Sequence, residues 1–245
     1  MKLYNELAPY YFDIESSTRI FKKEIEFLND VLKRHRIRTI LDIGCGSGEH
    51  VNALQGIGYT LLGIDNSSHM IDQAKKKYPH CKFDYGSMQD YKSKNQFDSV
   101  ICMFGTFNYL LTDDDIKSTL RLLQTNLKTA GIAILDIWNA EPFLRIKRKP
   151  IAPVCSIKSG DKIIKRNRGF RLTRTNSPVV EVNYVYHIDK QEIKDKHSMR
   201  IFYLKELKYF MDEFKFEILN LYGNFDQERF KKSGGRILLV VKKKT

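Results

Sequence analysis

The stretch that most constrains this chain is Thr39-Ile40-Leu41-Asp42-Ile43-Gly44-Cys45-Gly46-Ser47-Gly48-Glu49-His50. Ile40 to Ile43 reads as a buried strand. Glycines then stand at every second position, at 44, 46 and 48. Glycine lets the backbone turn sharply and lets a ligand approach it closely. The residues from Val51 to Leu54 read as the opening of a helix. A strand, a glycine turn and a helix N-terminus together make a nucleotide-binding corner.

The spacing narrows the choice of nucleotide. A dinucleotide fingerprint needs Gly-x-Gly-x-x-Gly, and its third position here is Glu49. A P-loop needs a lysine, and this loop has none. What remains is Asp-x-Gly-x-Gly-x-Gly, with Asp42 at the end of the strand. An acid beside the loop suits a cationic ligand better than a pyrophosphate. S-adenosylmethionine carries a sulfonium and an ammonium group and no phosphate. Leu61-Leu62-Gly63-Ile64-Asp65 reads as the next strand, ending in a second carboxylate placed to accept from both ribose hydroxyls. Helix capping alone would explain either acid, but not their agreement with the glycines.

On these residues the chain resembles the class I S-adenosylmethionine-dependent methyltransferases. Leu41 to Gly48 resembles the first motif of that family, and Gly63-Ile64-Asp65-Asn66-Ser67-Ser68-His69-Met70 its second. The resemblance covers roughly residues 1–145 and the last strand. It implies a Rossmann-like α/β fold: a central, mostly parallel sheet with helices on both faces. It implies S-adenosyl-L-methionine as cofactor, held at Asp42, Gly44, Cys45, Gly46, Asp65, Asn66 and Met70. Ser87, Met88 and Gln89 would meet the adenine, and Met103 and Phe104 would lie at the methyl end. Ser87 stands where the family commonly has Asp. Arg19 has the planar fork that can meet the methionine carboxylate.

At 245 residues the chain fits one large domain, or one domain carrying an inserted lid. No apolar run is long enough to span a bilayer, and the N-terminus lacks the apolar core of a signal peptide. A cytoplasmic protein that meets no membrane is expected. The cysteines at 45, 81, 102 and 155 form no Cys-x-x-Cys pair, so free thiols and no bound metal are expected. The net charge of +13 permits nucleic acid or an anionic small molecule as partner, and establishes neither.

Strands are expected at 39–43, 60–64, 82–84, 97–103 and 131–137, with helices at 20–35, 68–77 and 113–127. Alternation of this kind implies a parallel sheet. Thr112-Asp113-Asp114-Asp115 is a helix-start signal. Residues 145–176 hold eleven lysines and arginines against the single acid Asp161. Residues 179–188 and 197–203 alternate like antiparallel strands. We therefore expect a core over 1–145, a basic β-rich lid over 146–203, and a closing helix and strand pair over 204–245. The loop from Cys102 to Tyr109 lacks the Asn/Asp-Pro-Pro-Tyr/Trp signature of many enzymes that methylate base or glutamine nitrogens.

A looser similarity, to N-methyltransferases of nucleotide-linked amino sugars, rests on several segments. These are the tyrosines at 4, 10 and 11, Met103-Phe104, Asp195-x-His197-x-x-Arg200-x-Phe202-Tyr203, and Gly234-Gly235-Arg236. It implies methyl transfer to N or O of a small anionic acceptor. Tyr11 or His197 could then take the acceptor's proton or aim its lone pair. The competing expectation is an RNA- or protein-modifying enzyme gripping its target with the basic lid.

Overall fold

The structure, a computed structural model, describes residues 1–244. A short 3-10 turn at Ala8–Tyr10 runs into α1 (Tyr11–Ser16), and α2 (Phe21–Arg34) follows. Then come β1 (Thr39–Ile43), α3 (Glu49–Ile57), β2 (Thr60–Asp65), α4 (Ser68–Lys77), β3 (Phe83–Tyr85) and β4 (Phe97–Cys102). Beyond β4 lie α5 (Asp113–Asn126), β5 (Leu127–Trp138) and α6 (Ala140–Ile146). Four strands follow: β6 (Arg148–Ser159), β7 (Lys162–Arg174), β8 (Val179–Ile188) and β9 (Gln191–Arg200). The chain ends with α7 (Leu204–Glu213), β10 (Phe216–Tyr222) and β11 (Arg236–Lys243). Among the described residues, no helix is long and apolar enough to cross a membrane.

The central sheet has the order β10-β11-β5-β4-β1-β2-β3, with β1 to β5 parallel and β11 antiparallel to both its neighbours. The chain moves outward from β1 to β3, then restarts at β4 on the other side of β1. That reversal opens a crevice at the carboxyl ends of β1 and β4, where open α/β sheets bind ligands. One face of the sheet packs on α5 and α7 through residues such as Leu120, Leu123, Leu207 and Phe210. The other packs on α2, α3 and α4 through Phe27, Leu28, Leu54 and Ile71. Helix α5 starts where its sequence says it should: Thr112 and Asp115 bond each other's backbone reciprocally.

Strands β6 to β9 form a separate antiparallel meander. Its inner face carries Ile164, Val180, Val182, Tyr186 and Met199, and these pack against Leu3, Leu7 and Ile14 of the N-terminal segment. The sheet lies over the carboxyl ends of the central strands. Ala140 N–H donates to the Phe202 carbonyl and Phe202 N–H to the Trp138 carbonyl. Strand β9 starts at Gln191, earlier than its alternation suggests, because Asp195 and His197 are polar residues on the inner face. In β7 the apolar alternation is interrupted at Arg166, which is also turned inward and is fully buried. The edge strand β6 contains Pro150 and Pro153, which pairing on one side only tolerates.

Candidate active site

The glycine loop forms one wall of a cavity of about 90 Å³ at the sheet reversal. Gly44 has φ +70, and a Cβ there would stand 2.4 Å from Thr106 Cγ2. Gly46 has φ +56, and a Cβ there would meet the Tyr11 ring at 3.2 Å. Both positions thus demand glycine twice over, by backbone conformation and by close approach. Gly44, Gly46, Asp65, Asn66, Met88 and Phe104 line the cavity, and no lysine or arginine side chain does. A site with a carboxylate and no cation suits a positively charged nucleoside and disfavours a pyrophosphate.

Asp65 is held by the backbone. Its Oδ2 accepts from Gly46 N–H at 2.9 Å and its Oδ1 from Ser67 N–H at 2.9 Å. Burial raises its pKa above the usual carboxylate range, against the pull of those amides. Asp42 lies deeper, 1% exposed, and does not line the cavity. Its Oδ2 has no hydrogen-bond partner. Burial lifts its pKa to about 6. An unpartnered carboxyl under a glycine cradle is the feature that best fits a cationic cofactor.

Phe104 has φ +55, a conformation that a bulky residue rarely adopts. Its N–H donates to Asp136 Oδ2 at 3.0 Å, and Arg236 Nε meets Asp136 Oδ1 at 3.0 Å. The buried Asp136 therefore holds the strained turn in place. Strain of this kind collects where a ligand needs a particular backbone group. Arg19 does not reach the cavity. Its guanidinium pairs with Glu24 and stacks over the Phe104 ring, 4.2 Å from the centroid.

The remaining sequence-derived positions divide. Met70, Cys45 and Met103 are buried behind the loops, at 0%, 6% and 3% exposure, and do not line the cavity. Ser87 and Gln89 bond each other, and Gln89 reaches Asp115 at 3.4 Å; Gly86 and Met88 are the residues of that loop that face inward.

The opposite wall is phenolic. Tyr4, Tyr11 and Tyr109 line it. Burial pushes the Tyr11 phenol well above its ordinary value, so it stays protonated at neutral pH. His197 sits one layer back, 1% exposed, with Nδ1 2.7 Å from Tyr109 Oη and Nε2 3.0 Å from Asp195 Oδ2. Sequence reasoning gave no role to Tyr4, Tyr109 or Asp195. The three lie on elements far apart in the chain, and only the folded meander brings them together. Two of the lid's arginines are not free cations. Arg166 bonds Glu15 at 2.7 Å and Thr18 at 3.1 Å, while Arg200 pairs with Asp113 and Glu206.

Residues 40–131 match the family profile described as a methyltransferase domain. Residues 40–131 thus carry a methyltransferase domain. The whole architecture superposes on an S-adenosylmethionine-dependent methyltransferase from Clostridium acetobutylicum with TM-score 0.84 and 17% identity, covering 99% of each chain. It superposes on the amino pentose methyltransferase CalS10 from Micromonospora echinaspora with TM-score 0.77 and 18% identity over 96% of each. Among curated relatives, the dTDP-3-amino-3,6-dideoxy-alpha-D-glucopyranose N,N-dimethyltransferase of Streptomyces fradiae is 24% identical over 120 residues. That match spans 48% of this chain and only 47% of the relative.

Proposed function

We propose that the protein transfers a methyl group to the amine nitrogen of a small acceptor of the nucleotide-linked amino-sugar class. The observation that carries this reading is the two-ended cavity. One end has glycines and a carboxylate; the other is a roof of tyrosines from the N-terminal segment and the turn after β4. The antiparallel sheet packs against that roof, an arrangement that favours a small molecule over a polymer.

S-adenosylmethionine, when bound, supplies an electrophilic methyl group. The chain's own residues do the rest. Gly44 and Gly46 let the backbone approach the donor, Asp65 offers lone pairs to ribose hydroxyls, and the buried Asp42 lends negative charge beneath. Phe104, fixed by Asp136, presents its main chain at the methyl end. The tyrosine roof excludes water and holds the acceptor nitrogen in line, and alignment supplies much of the rate in such displacements.

An anionic acceptor is supported by a second cleft, lined by Trp138, Phe143, Phe170, Lys149 and Arg168. The Trp138 and Phe143 rings stack at 5.5 Å. Aromatic faces beside two cations suit a nucleoside with its phosphates. The test is a panel of dTDP-amino sugars, free amino sugars, glycine and RNA, with product masses read after incubation with S-adenosylmethionine. Methylated dTDP-amino sugar is the expected result. Methyl groups found on RNA or protein, and on no small amine, would reverse the reading.

A further inference from the structure

Behind the tyrosine roof runs an unbroken line of hydrogen bonds: Tyr4 Oη to Tyr109 Oη at 2.7 Å, Tyr109 Oη to His197 Nδ1 at 2.7 Å, and His197 Nε2 to Asp195 Oδ2 at 3.0 Å. Both Asp195 oxygens also receive backbone donors, Leu3 N–H at 2.8 Å and Lys196 N–H at 2.9 Å. The line therefore ends on a carboxylate that only accepts.

That ending fixes the direction of every bond before it. His197 Nε2 must carry the proton that it donates to Asp195. In neutral His197, Nδ1 is then bare and accepts the Tyr109 O–H. Tyr109 has no second proton, so its contact with Tyr4 is a donation from Tyr4 O–H. The free lone pairs of Tyr4, at the cavity wall, are left to accept. Burial alone would push the Asp195 carboxyl up, but its bonds to His197 and to the Leu3 amide hold it well below the ordinary range. Burial likewise pushes both phenols well up, so each passes protons on and neither keeps a charge.

We propose that Tyr4, Tyr109, His197 and Asp195 form a proton relay that drains the methylated nitrogen of its surplus proton. This rests on the amine reading above. The methyl–sulfur bond breaks as the nitrogen–methyl bond forms; sulfur keeps the electron pair and the nitrogen is left as an ammonium. One N–H proton passes to Tyr4, the Tyr4 proton to Tyr109, and the Tyr109 proton to His197 Nδ1. The resulting imidazolium is balanced by Asp195. The proton returns along the line to water when the product leaves. A neutral nitrogen is thereby restored, ready for a second methyl group. The groups facing His197 are Tyr4, Tyr109 and Tyr184, with ring centroids at 5.4, 5.9 and 5.0 Å, and Asp195 is the one charged group bonded to it. Glu15, on α1, is paired with Arg166.

Two measurements test the relay. Nitrogen NMR of His197 in the protein saturated with S-adenosylhomocysteine should show the Nε2–H tautomer, with an Nδ1 signal that moves in Tyr109→Phe. An Nδ1–H tautomer would overturn the direction on which the relay depends. With dTDP-3-amino-3,6-dideoxyglucose as acceptor, Tyr4→Phe and Tyr109→Phe should each lower kcat by about 10- to 100-fold. KM for S-adenosylmethionine should stay unchanged, and the acid limb of the pH–rate profile should be displaced. A kcat within about twofold of the wild type in both folded variants would overturn the proposal. If Tyr109→Phe fails to fold, Tyr4→Phe and the tautomer decide. If the wild type methylates no amine, the functional reading fails, while the tautomer still decides whether the line has the stated direction.

Discussion

The loss of Arg166 separates a buried structural pair from a surface meant to grip phosphate. The Arg166 side chain is 0% exposed and that of Glu15 is 8% exposed, with 2.7 Å between them. Removing the guanidinium leaves a carboxylate out of water with no opposite charge, which typically costs about 3–5 kcal/mol. In a domain of this size each kcal/mol lowers Tm by about 2–4 °C, so Arg166→Met should melt roughly 6–20 °C below the wild type. Replacing both partners, as Glu15→Leu with Arg166→Met, removes both desolvated charges and should regain most of that loss. Thermal unfolding followed by circular dichroism reads both variants. The reasoning is wrong if Arg166→Met melts within about 2 °C of the wild type, or if the double variant is weaker than the single. Because the side chain has no exposed surface, its loss should not change the salt dependence of any RNA binding.

The cofactor pole yields three more expectations. Asp65→Asn leaves one of two loop amides facing a donor, so affinity for S-adenosylmethionine should fall by about 1.5–3 kcal/mol; calorimetry showing no change would remove Asp65 from the site. Gly44→Ala combines backbone strain of about 1–2 kcal/mol with a clash on Thr106, and adding Thr106→Ala should recover part of the lost stability in a urea melt. Burial raises the Asp42 pKa from 3.8 to about 6, so the folded state holds this proton more tightly than the unfolded chain. Its contribution is present below the lower value and is lost as pH rises through about 6, a change of roughly 3 kcal/mol. Asp42→Asn should flatten stability between those two values and raise it at pH 7 while weakening the cofactor; a variant with unchanged pH dependence would show that Asp42 stays ionised. Asp98 acts in the opposite sense and in a lower window, because its bonds to Lys128 and the Thr39 and Arg38 amides outweigh burial and bring it down to about 2.

The parts of the molecule legible in the sequence are those in which local chemistry and fold agree. The glycines at 44 and 46 are written for a left-handed turn against neighbouring side chains, and the turn is where the spacing puts it. Strands β1, β2 and β4 are near-continuous apolar runs, as strands covered on both faces must be. The meander was readable throughout β8, whose inner positions are all apolar or aromatic, and in β9 only at its end. In β7 and β9 the inner positions include Arg166, Asp195 and His197, so the period that reports burial is broken by the groups that matter most there. Arg19 was read by charge alone; Glu24, five residues on, claims it. The tyrosine roof draws on residues 4, 11 and 109, a grouping that no spacing along the chain encodes.

The central claim is that this chamber methylates the nitrogen of a small, nucleotide-linked amine. The most direct test is the mass of dTDP-3-amino-3,6-dideoxyglucose after incubation with the protein and S-adenosylmethionine, with S-adenosylhomocysteine measured alongside. The account predicts one or two added methyl groups on the amino nitrogen, matched by an equal amount of S-adenosylhomocysteine. A protein that binds S-adenosylmethionine by calorimetry, yet leaves this sugar and other small amines unmodified while methylating RNA or protein, would contradict it.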